Sequence, residues 1–340
     1  MLSYFESEYN AKNFLSEKLQ KERTSEEILE LAKNLSVDMQ AAKEYFKAAE
    51  GVSLLTKPLL IYYGMVNLAK VLHITCKGEA PEGKKHGLES VKPWNGVLSE
   101  LSVKVKQYGI FSEFYHCYSS GEIHGHSFSI KQLISQVPEV KVAYETVYKE
   151  KALSLKVVRV KYGVSLVDSD LDKFTDIEKL LANTPKIKNA GDIQIFEKSA
   201  FLFSTMWDDN EHPFLRALSG EENLILPFVG ADGTFKVLPE LSTHFLIMFL
   251  LGMTARYHPK VWSESIKGKK SGDIYVLQKF LEVTARKFPN LILNELRNRE
   301  FFFSTPNIDN ENKELTDAQL EQAYDYINSK MAQDLLSSGL

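Results

Sequence analysis

Apolar residues recur at helical spacing over the first 75 residues of the chain and again over its last third. Thr24 to Glu27 has the pattern of a capping box, in which the first and fourth residues close the start of a helix. From residue 57 the apolar positions cover most of the helical circumference, which predicts a helix deep in the core. Helices are predicted over 8–21, 28–35, 37–49, 58–72, 239–257 and 271–287.

The middle of the chain, about residues 101–237, has a shorter period that favours strands. Leu153–Val167 is the clearest strand signal because it is rich in β-branched residues. Further strands are predicted on both sides of Tyr108-Gly109 (Val103, Val105, Ile110, Phe114 and Tyr115), over 193–206 and over 223–229, with a hairpin turn at 231–234. Short helices are predicted over 128–135, 138–150 and 168–182. Beyond residue 298 the pattern predicts an edge strand over 299–304 and a last helix over 316–336.

This order of elements predicts an α+β fold, predominantly helical, in which helical N- and C-terminal parts flank an antiparallel β region. We expect residues 1–150 to form a mainly helical region with a β hairpin. Residues 151–305 should form a mixed α+β region packed on it, and residues 306–340 a polar linker and a C-terminal helix. A single domain over 1–305 is the alternative to two regions.

Composition narrows the functional classes. A formal charge of −4 over 340 residues gives no general attraction to nucleic acid or to an anionic membrane. Two cysteines, Cys76 and Cys117, favour a reducing compartment over a disulfide framework. The N-terminus lacks the basic and apolar segments of a signal peptide, and the apolar run 244–254 is too short to span a bilayer. We therefore expect a cytoplasmic protein that does not insert into membranes.

The buried helix carries polar groups that need partners, and these suggest a site. Tyr62, Tyr63 and Asn67 lie on it, and a buried hydroxyl or amide is unfavourable unless it is hydrogen-bonded. His86 follows after one loop, and Arg256 ends the other strongly apolar helix. We predict a polar pocket formed by these five residues that holds a small anion or a nucleotide phosphate. A purely structural hydrogen-bond network is the alternative.

Other candidate chemistry is weaker. His116, His124 and His126 are metal-capable histidines close together in the sequence, and a strand would place His124 and His126 on one face. The polar, glycine-bearing segment 119–127 favours an exposed hairpin turn instead. Asp208, Asp209, Glu211 and His212 could bind a divalent cation or form an acidic loop. The chain lacks a P-loop, a dinucleotide-binding glycine motif and a nucleophile elbow, so we expect no cofactor and predict no catalytic residue or metal centre.

Several blocks of the sequence resemble the YaaC-like family of bacterial cytoplasmic proteins. They are 57–73 (KPLLIYYGMVNLAKVLH) with 86–88 (HGL), 128–139 (FSIKQLISQVPE), 238–262 and 288–296. The resemblance implies the family's fold and carries over no catalytic residues. We therefore expect an intracellular binding or regulatory protein with a protein partner, such as a component of a bacterial multi-protein system, for example phage defence.

A nuclease is the alternative function. The chain is weakly similar to the HEPN superfamily of helical bundles, in which an arginine and a histidine four to six residues apart cleave RNA without a metal. That spacing is absent here, because Arg256 and His258 are two residues apart and His86 follows lysines. A nuclease would have to use His86 with Arg256, or a metal bound at His124 and His126.

Overall fold

Helices form both ends of the described chain, and strands form much of its middle. The computed structural model describes residues 2–19, 23–82, 85–91, 97–160, 163–168, 171, 174, 176–185, 187, 194–195, 199–203, 214–230 and 232–298. The α-helices are α1 Glu8–Leu19, α2 Ser25–Glu50, α3 Lys57–Lys77, α4 Ile110–Tyr115, α5 Ile130–Ile134, α6 Lys141–Tyr148, α7 Ile177–Ala182, α8 Glu240–Tyr257, α9 Pro259–Ile266 and α10 Asp273–Arg297. Short 3₁₀ helices cover Leu2–Glu6, Leu98–Glu100 and Pro138–Val140.

The strands form three antiparallel sheets. They are β1 Leu88–Ser90, β2 Ser102–Val105, β3 Ser127–Ser129, β4 Ser154–Val160, β5 Gly163–Val167, β6 Gln194–Ile195, β7 Ser199–Phe203, β8 Phe214–Arg216, β9 Glu222–Ile225, β10 Phe228–Val229 and β11 Phe235–Lys236. One sheet has the order β1-β2-β3, a second pairs β10 with β11, and the third has the order β6-β7-β5-β4-β9-β8. The predicted fold class, α+β and predominantly helical, is confirmed.

Helices α3 and α8 form the centre of the main core. Every residue of α8 from Leu241 to Thr254 is buried, and α3 packs against α2, α8, α10 and α4. Helix α3 is long and apolar enough to cross a membrane, yet 72% of its most apolar window is buried inside the protein. A helix at the centre of a protein core is also apolar on all sides, because it packs against other elements around its whole circumference.

Among the described residues, buried side chains form two clusters. The first combines α1–α6, the three-stranded sheet, α8, α9 and α10, so it draws on residues from both sides of position 151. The second belongs to the six-stranded sheet and α7. In chain order, β4 is the first strand of this sheet and β9 is its last, and the two lie side by side with Ser154 opposite Ile225. Just beyond them, the amide of Leu226 donates to the carbonyl of Leu153 at 2.9 Å. The division into regions at residue 150 stays a prediction.

A buried ionic group joins three elements of the core. The ammonium of Lys287 on α10 donates to Glu139 Oε1 at 2.6 Å and pairs with Glu240 at the start of α8. The Lys287 side chain is 3% exposed. Glu139 Oε1 also accepts the backbone amide of Leu218, in the turn between β8 and β9, at 2.9 Å. This group therefore links the helical core to the six-stranded sheet.

In the first half of the chain, one predicted strand is a helix, and two predicted helices are a single helix. Residues 110–115 form α4 and not a strand, because Ile110, Phe111, Phe114 and Tyr115 bury one helical face. Residues 28–49 form one helix and not two, because nothing between Leu35 and Val37 breaks it. The predicted capping box at its start is confirmed, with the Thr24 side chain accepting from the Glu27 amide.

The other corrections concern the second half. Leu153–Val167 is a hairpin of β4 and β5, with Val160 opposite Gly163, and not one strand. Of the helix predicted over 168–182, the described residues show α7 at Ile177–Ala182. Asp168 is not part of it: this residue follows the end of β5, and its carboxylate is buried against Lys141 and Lys151. The last described helix runs through Pro289 to Arg297 because Phe288, Ile292 and Leu296 stay buried at helical spacing. The elements predicted over 299–304 and 316–336 lie outside the described residues.

Candidate functional site

Tyr62 on α3 lies where this helix packs against Gly252 of α8. Its side chain is fully buried, and its ring meets the rings of Phe245 and Phe249 on α8 edge-on, with centroids 5.6 and 6.0 Å apart. Gly252 on α8 allows this approach, since a Cβ at that position would lie 3.2 Å from Tyr62 Cβ. The Tyr62 hydroxyl therefore ends up in an apolar environment and requires a partner.

The partner is His86, whose Nδ1 lies 2.8 Å from the Tyr62 hydroxyl oxygen. The backbone of this loop is held by the start of α4, because the Phe111 amide donates to the His86 carbonyl at 3.0 Å. Two glycines make the contact possible: Gly109 has a φ of +129°, and a Cβ there would lie 2.5 Å from the nitrogen of Gly87. His86, in the loop that follows α3, thus contacts α3 again.

The surroundings of this pair determine its protonation. Burial lowers the pKa of His86, and the positive charge of Arg256 lowers it further. Burial raises the pKa of Tyr62, so its phenol keeps its proton. The imidazole is therefore neutral at pH 7, with its Nδ1 able to accept from the Tyr62 hydroxyl. In that tautomer the proton lies on Nε2, the other ring nitrogen.

Arg256 lies at the last turn of α8, next to the same tyrosine pair. Its Nη1 donates to the Tyr63 hydroxyl, and the Tyr62 and Tyr63 rings are 6.1 Å apart. The guanidinium carbon is 6.0 Å from the Tyr63 ring centre and 4.9 Å from that of Tyr257. Within the described part of the chain, no carboxylate forms an ion pair with Arg256, which reaches the surface.

The family of the chain follows from comparison with known proteins. A family model described as YaaC-like protein matches residues 3–296. The chain belongs to the YaaC-like protein family. This confirms the resemblance seen in the sequence blocks between residues 57 and 296. No curated protein and no solved structure gives a significant match.

This member of the YaaC-like family brings together Tyr62, Tyr63, His86 and Arg256, four of the five residues of the predicted pocket. Asn67 does not join them. Its amide donates to the Tyr63 carbonyl at 3.1 Å, and its Oδ1 accepts from Lys70 at 3.3 Å. Lys70 in turn pairs with Asp38 on α2 at 3.1 Å, so Asn67 takes part in the contact between α3 and α2, one helical turn from Tyr63.

The three candidate metal-binding histidines have separate surroundings. His124 and His126 lie in a turn before β3 and not on a strand. His124 Nδ1 contacts Glu122 Oε2 at 2.8 Å, whereas His126 Nδ1 lies 3.5 Å from Asp232. Within the described ranges, no three His, Cys, Asp or Glu side chains are placed to hold one ion. The acidic group at 208–212 lies outside those ranges.

Sequence reasoning missed two features. Tyr45 on α2 stands against Tyr63 with ring centres 5.6 Å apart, a contact that the sequence does not signal. At the other end of α3, an open cavity of about 700 Å³ is lined by His73, Glu113, His116 and Cys117, among others. His73 is 6% exposed, and its Nδ1 has no partner among the described residues. A histidine on an otherwise apolar helix was the available signal.

Proposed function

We propose that this YaaC-like protein is an intracellular binding or regulatory protein that recognises a phosphate-bearing ligand through Tyr63, His86 and Arg256. The observation that carries the proposal is a cluster of hydrogen-bond donors around an unneutralised guanidinium. The guanidinium group of an arginine is a planar cation with five N–H donors. With Tyr62 donating to Nδ1, His86 presents an Nε2–H, and Tyr63, which accepts from Arg256, keeps its own O–H to donate.

The chemistry of these donors favours an anion with several oxygens. A guanidinium binds two phosphate oxygens at once, and such charge-assisted bonds are each worth about 1.5–3 kcal/mol. The rings of Tyr63 on α3 and Tyr257 on α8 lie beside the guanidinium, and the Tyr45 ring on α2 packs against that of Tyr63. Tyrosine rings stack with nucleobases, which makes a nucleotide the preferred ligand over a bare phosphate.

The proposal includes a cytoplasmic location and a protein partner in a bacterial multi-protein system, such as phage defence. Its support is membership of the YaaC-like family, together with the resemblance to bacterial cytoplasmic proteins. Affinity purification from the native host with mass spectrometry tests this part. A protein recovered with the wild-type chain supports it only if direct binding of the two purified proteins follows.

Binding is tested by calorimetry with ATP, GTP, AMP and inorganic phosphate as probes. Arg256→Gln should weaken nucleotide binding about 10- to 100-fold, which corresponds to the loss of one charge-assisted contact. Arg159→Gln is the matched control, because Arg159 is an exposed arginine that pairs with Glu222 on the six-stranded sheet. Equal affinity of the wild type and Arg256→Gln, or no binding of any probe, would overturn the proposal.

Nuclease activity is the second candidate, and the neutral imidazole of His86 is the observation that favours it. This role uses the other tautomer, in which His86 Nδ1–H donates to the Tyr62 oxygen and the unprotonated Nε2 accepts the proton of an RNA 2′-hydroxyl while the Arg256 guanidinium stabilises the phosphate. Incubation with RNA and DNA, with and without EDTA, separates the candidates. Cleavage that is lost in His86→Ala makes the protein an enzyme, whereas cleavage sensitive to EDTA points to a metal at His124 and His126.

A further inference from the structure

The two cysteines of the chain, 41 residues apart in sequence, lie side by side in the fold. Cys76 is in the last turn of α3, and Cys117 follows the end of α4. The Cys76 Sγ contacts the Cys117 carbonyl oxygen at 3.8 Å. Two cysteines without a paired spacing favour a reducing compartment, and nothing in their sequence positions signals that they lie close together.

The two thiols differ in access to solvent. Cys76 is exposed, whereas Cys117 is half-buried and lines the open cavity at the end of α3. The Cys117 Sγ also donates to the Glu113 carbonyl at 3.4 Å, and burial raises the pKa of this thiol. Charges of both signs lie near the pair, including Lys18, Lys77 and Glu295. Accessibility therefore determines which sulfur reacts first.

We propose that Cys76 and Cys117 form a reversible oxidation site, in which a peroxide converts the two thiols into an intramolecular disulfide. The thiolate of Cys76 attacks one peroxide oxygen, the O–O bond breaks, and Cys76 becomes a sulfenic acid with loss of one water. The Cys117 sulfur then attacks the Cys76 sulfur, and the hydroxyl leaves with the Cys117 proton as a second water. Two thiols and one hydrogen peroxide give one disulfide and two waters, with each sulfur oxidised by one electron.

The geometry favours this product over others. A disulfide requires Cα atoms about 4.4–6.8 Å apart, and the contact from Cys76 Sγ to the Cys117 backbone already places the two residues next to each other. Cys117 follows α4, a helix of six residues, so the adjustment falls on a short element. In a reducing compartment such a bond forms transiently and is reversed by thiols, as in redox-sensing proteins.

Mass spectrometry of the intact protein tests the proposal. Equimolar hydrogen peroxide should lower the mass of the wild-type monomer by about 2 Da, the loss of two hydrogens, and dithiothreitol should restore it. Digestion without reductant should yield one cross-linked pair of peptides that contains Cys76 and Cys117. Wild-type protein that gives Cys76 sulfinic acid or disulfide-linked dimers, and no cross-linked monomer, would overturn the proposal.

Two variants distinguish the roles of the two sulfurs. In Cys117→Ser, Cys76 should stop at the sulfenic acid, which dimedone traps, because the second sulfur is missing. In Cys76→Ser, Cys117 should react far more slowly, because it is half-buried. Circular dichroism checks that each variant is folded, and the wild-type peptide map decides the question if one is not. Equal rates of peroxide reaction in both variants would contradict the assigned order.

Discussion

Tyr62 carries one polar atom into the core of the protein, and a single side chain satisfies it. The hydroxyl lies 2.8 Å from His86 Nδ1, and the Tyr62 ring packs edge-on against the rings of Phe245 and Phe249. Tyr62→Phe removes this bond and leaves Nδ1 without a donor, so the free energy of unfolding should fall by about 0.5–1.5 kcal/mol. Guanidinium chloride unfolding measures the change. Tyr63→Phe should lose less, because its partner Arg256 is exposed to water.

The pKa of His86 reports on its distance from Arg256. Arg256→Gln removes the positive charge, so the pKa of His86 should rise toward its ordinary value of 6.5, although burial still holds it below that value. Nuclear magnetic resonance of the imidazole over pH 4–8 measures it. Arg159→Gln should leave the pKa unchanged, and an equal pKa in both variants would place Arg256 too far away to act.

The protonation of His86 should also make the free energy of unfolding depend on pH. The unfolded chain takes up the proton first as the pH falls through 6.5, because the folded pKa of His86 is lower. The contribution of the neutral imidazole to stability is therefore complete above pH 6.5 and decreases as the pH falls toward the folded pKa. His86→Gln should reduce this part of the pH dependence.

At the scale of elements, one glycine sets the distance between α3 and α8. A Cβ at Gly252 would lie 3.2 Å from Tyr62 Cβ, an atom fixed to the backbone of the facing helix. Gly252→Ala gains about 0.5–1 kcal/mol from helix propensity and loses about 1–3 kcal/mol from overpacking. We expect a net loss of stability in thermal or denaturant unfolding.

Gly51→Ala is the control for this prediction. Gly51 ends α2 with a φ of −91°, and nothing lies within 4 Å of the position of its Cβ. This substitution should leave stability unchanged or raise it slightly, because alanine restricts the unfolded chain. If Gly252→Ala unfolds at the same denaturant concentration as Gly51→Ala, the two helices are less tightly packed than the distances indicate.

Elements that depend on neighbouring residues were predictable from the sequence, whereas elements that depend on distant contacts were not. The capping box at Thr24 and the buried helix α8 depend on neighbouring residues, so their patterns predicted them. Helix α4 was missed because its start depends on Gly109 crossing Gly87, a contact between distant residues. Tyr62 with His86 was predictable from the need to satisfy a buried hydroxyl, whereas the rings of Tyr45 and Tyr63 meet only through tertiary packing.

At the scale of the whole molecule, the buried Lys287 holds together parts of the chain that are far apart in sequence. Burial raises the pKa of Glu240, but Lys287 and His244 outweigh it, so the folded pKa is below 4.5. The resulting stability is present above pH 4.5 and is lost as the pH falls through the folded pKa. In Lys287→Met the cation is gone, and burial then shifts the pKa of the carboxyl upward.

Lys287→Met should reduce the free energy of unfolding by about 3–5 kcal/mol, because the carboxylates of Glu139 and Glu240 stay buried without a cation. Lys279→Met, on the same helix, is the control. Lys279 pairs with Glu282 at 3.4 Å, and both side chains are half exposed, so its loss should change stability by less than about 1 kcal/mol. Denaturant unfolding at pH 7 compares the two, and similar values would show that the buried group does not stabilise the fold.

The pairing of Ser154 with Ile225 determines where this protein can tolerate insertions in its chain. The chain leaves the helical core and returns to it at almost the same point, where Leu226 bonds to Leu153. Residues added to a flexible loop between these two positions raise the free-energy cost of loop closure only slowly, by about 0.6 kcal/mol for each doubling of loop length. The distance that the helices must span stays the same. We therefore expect members of the family to vary most in length between these two positions, and a foreign module grafted there to leave Tyr62 and His86 in place.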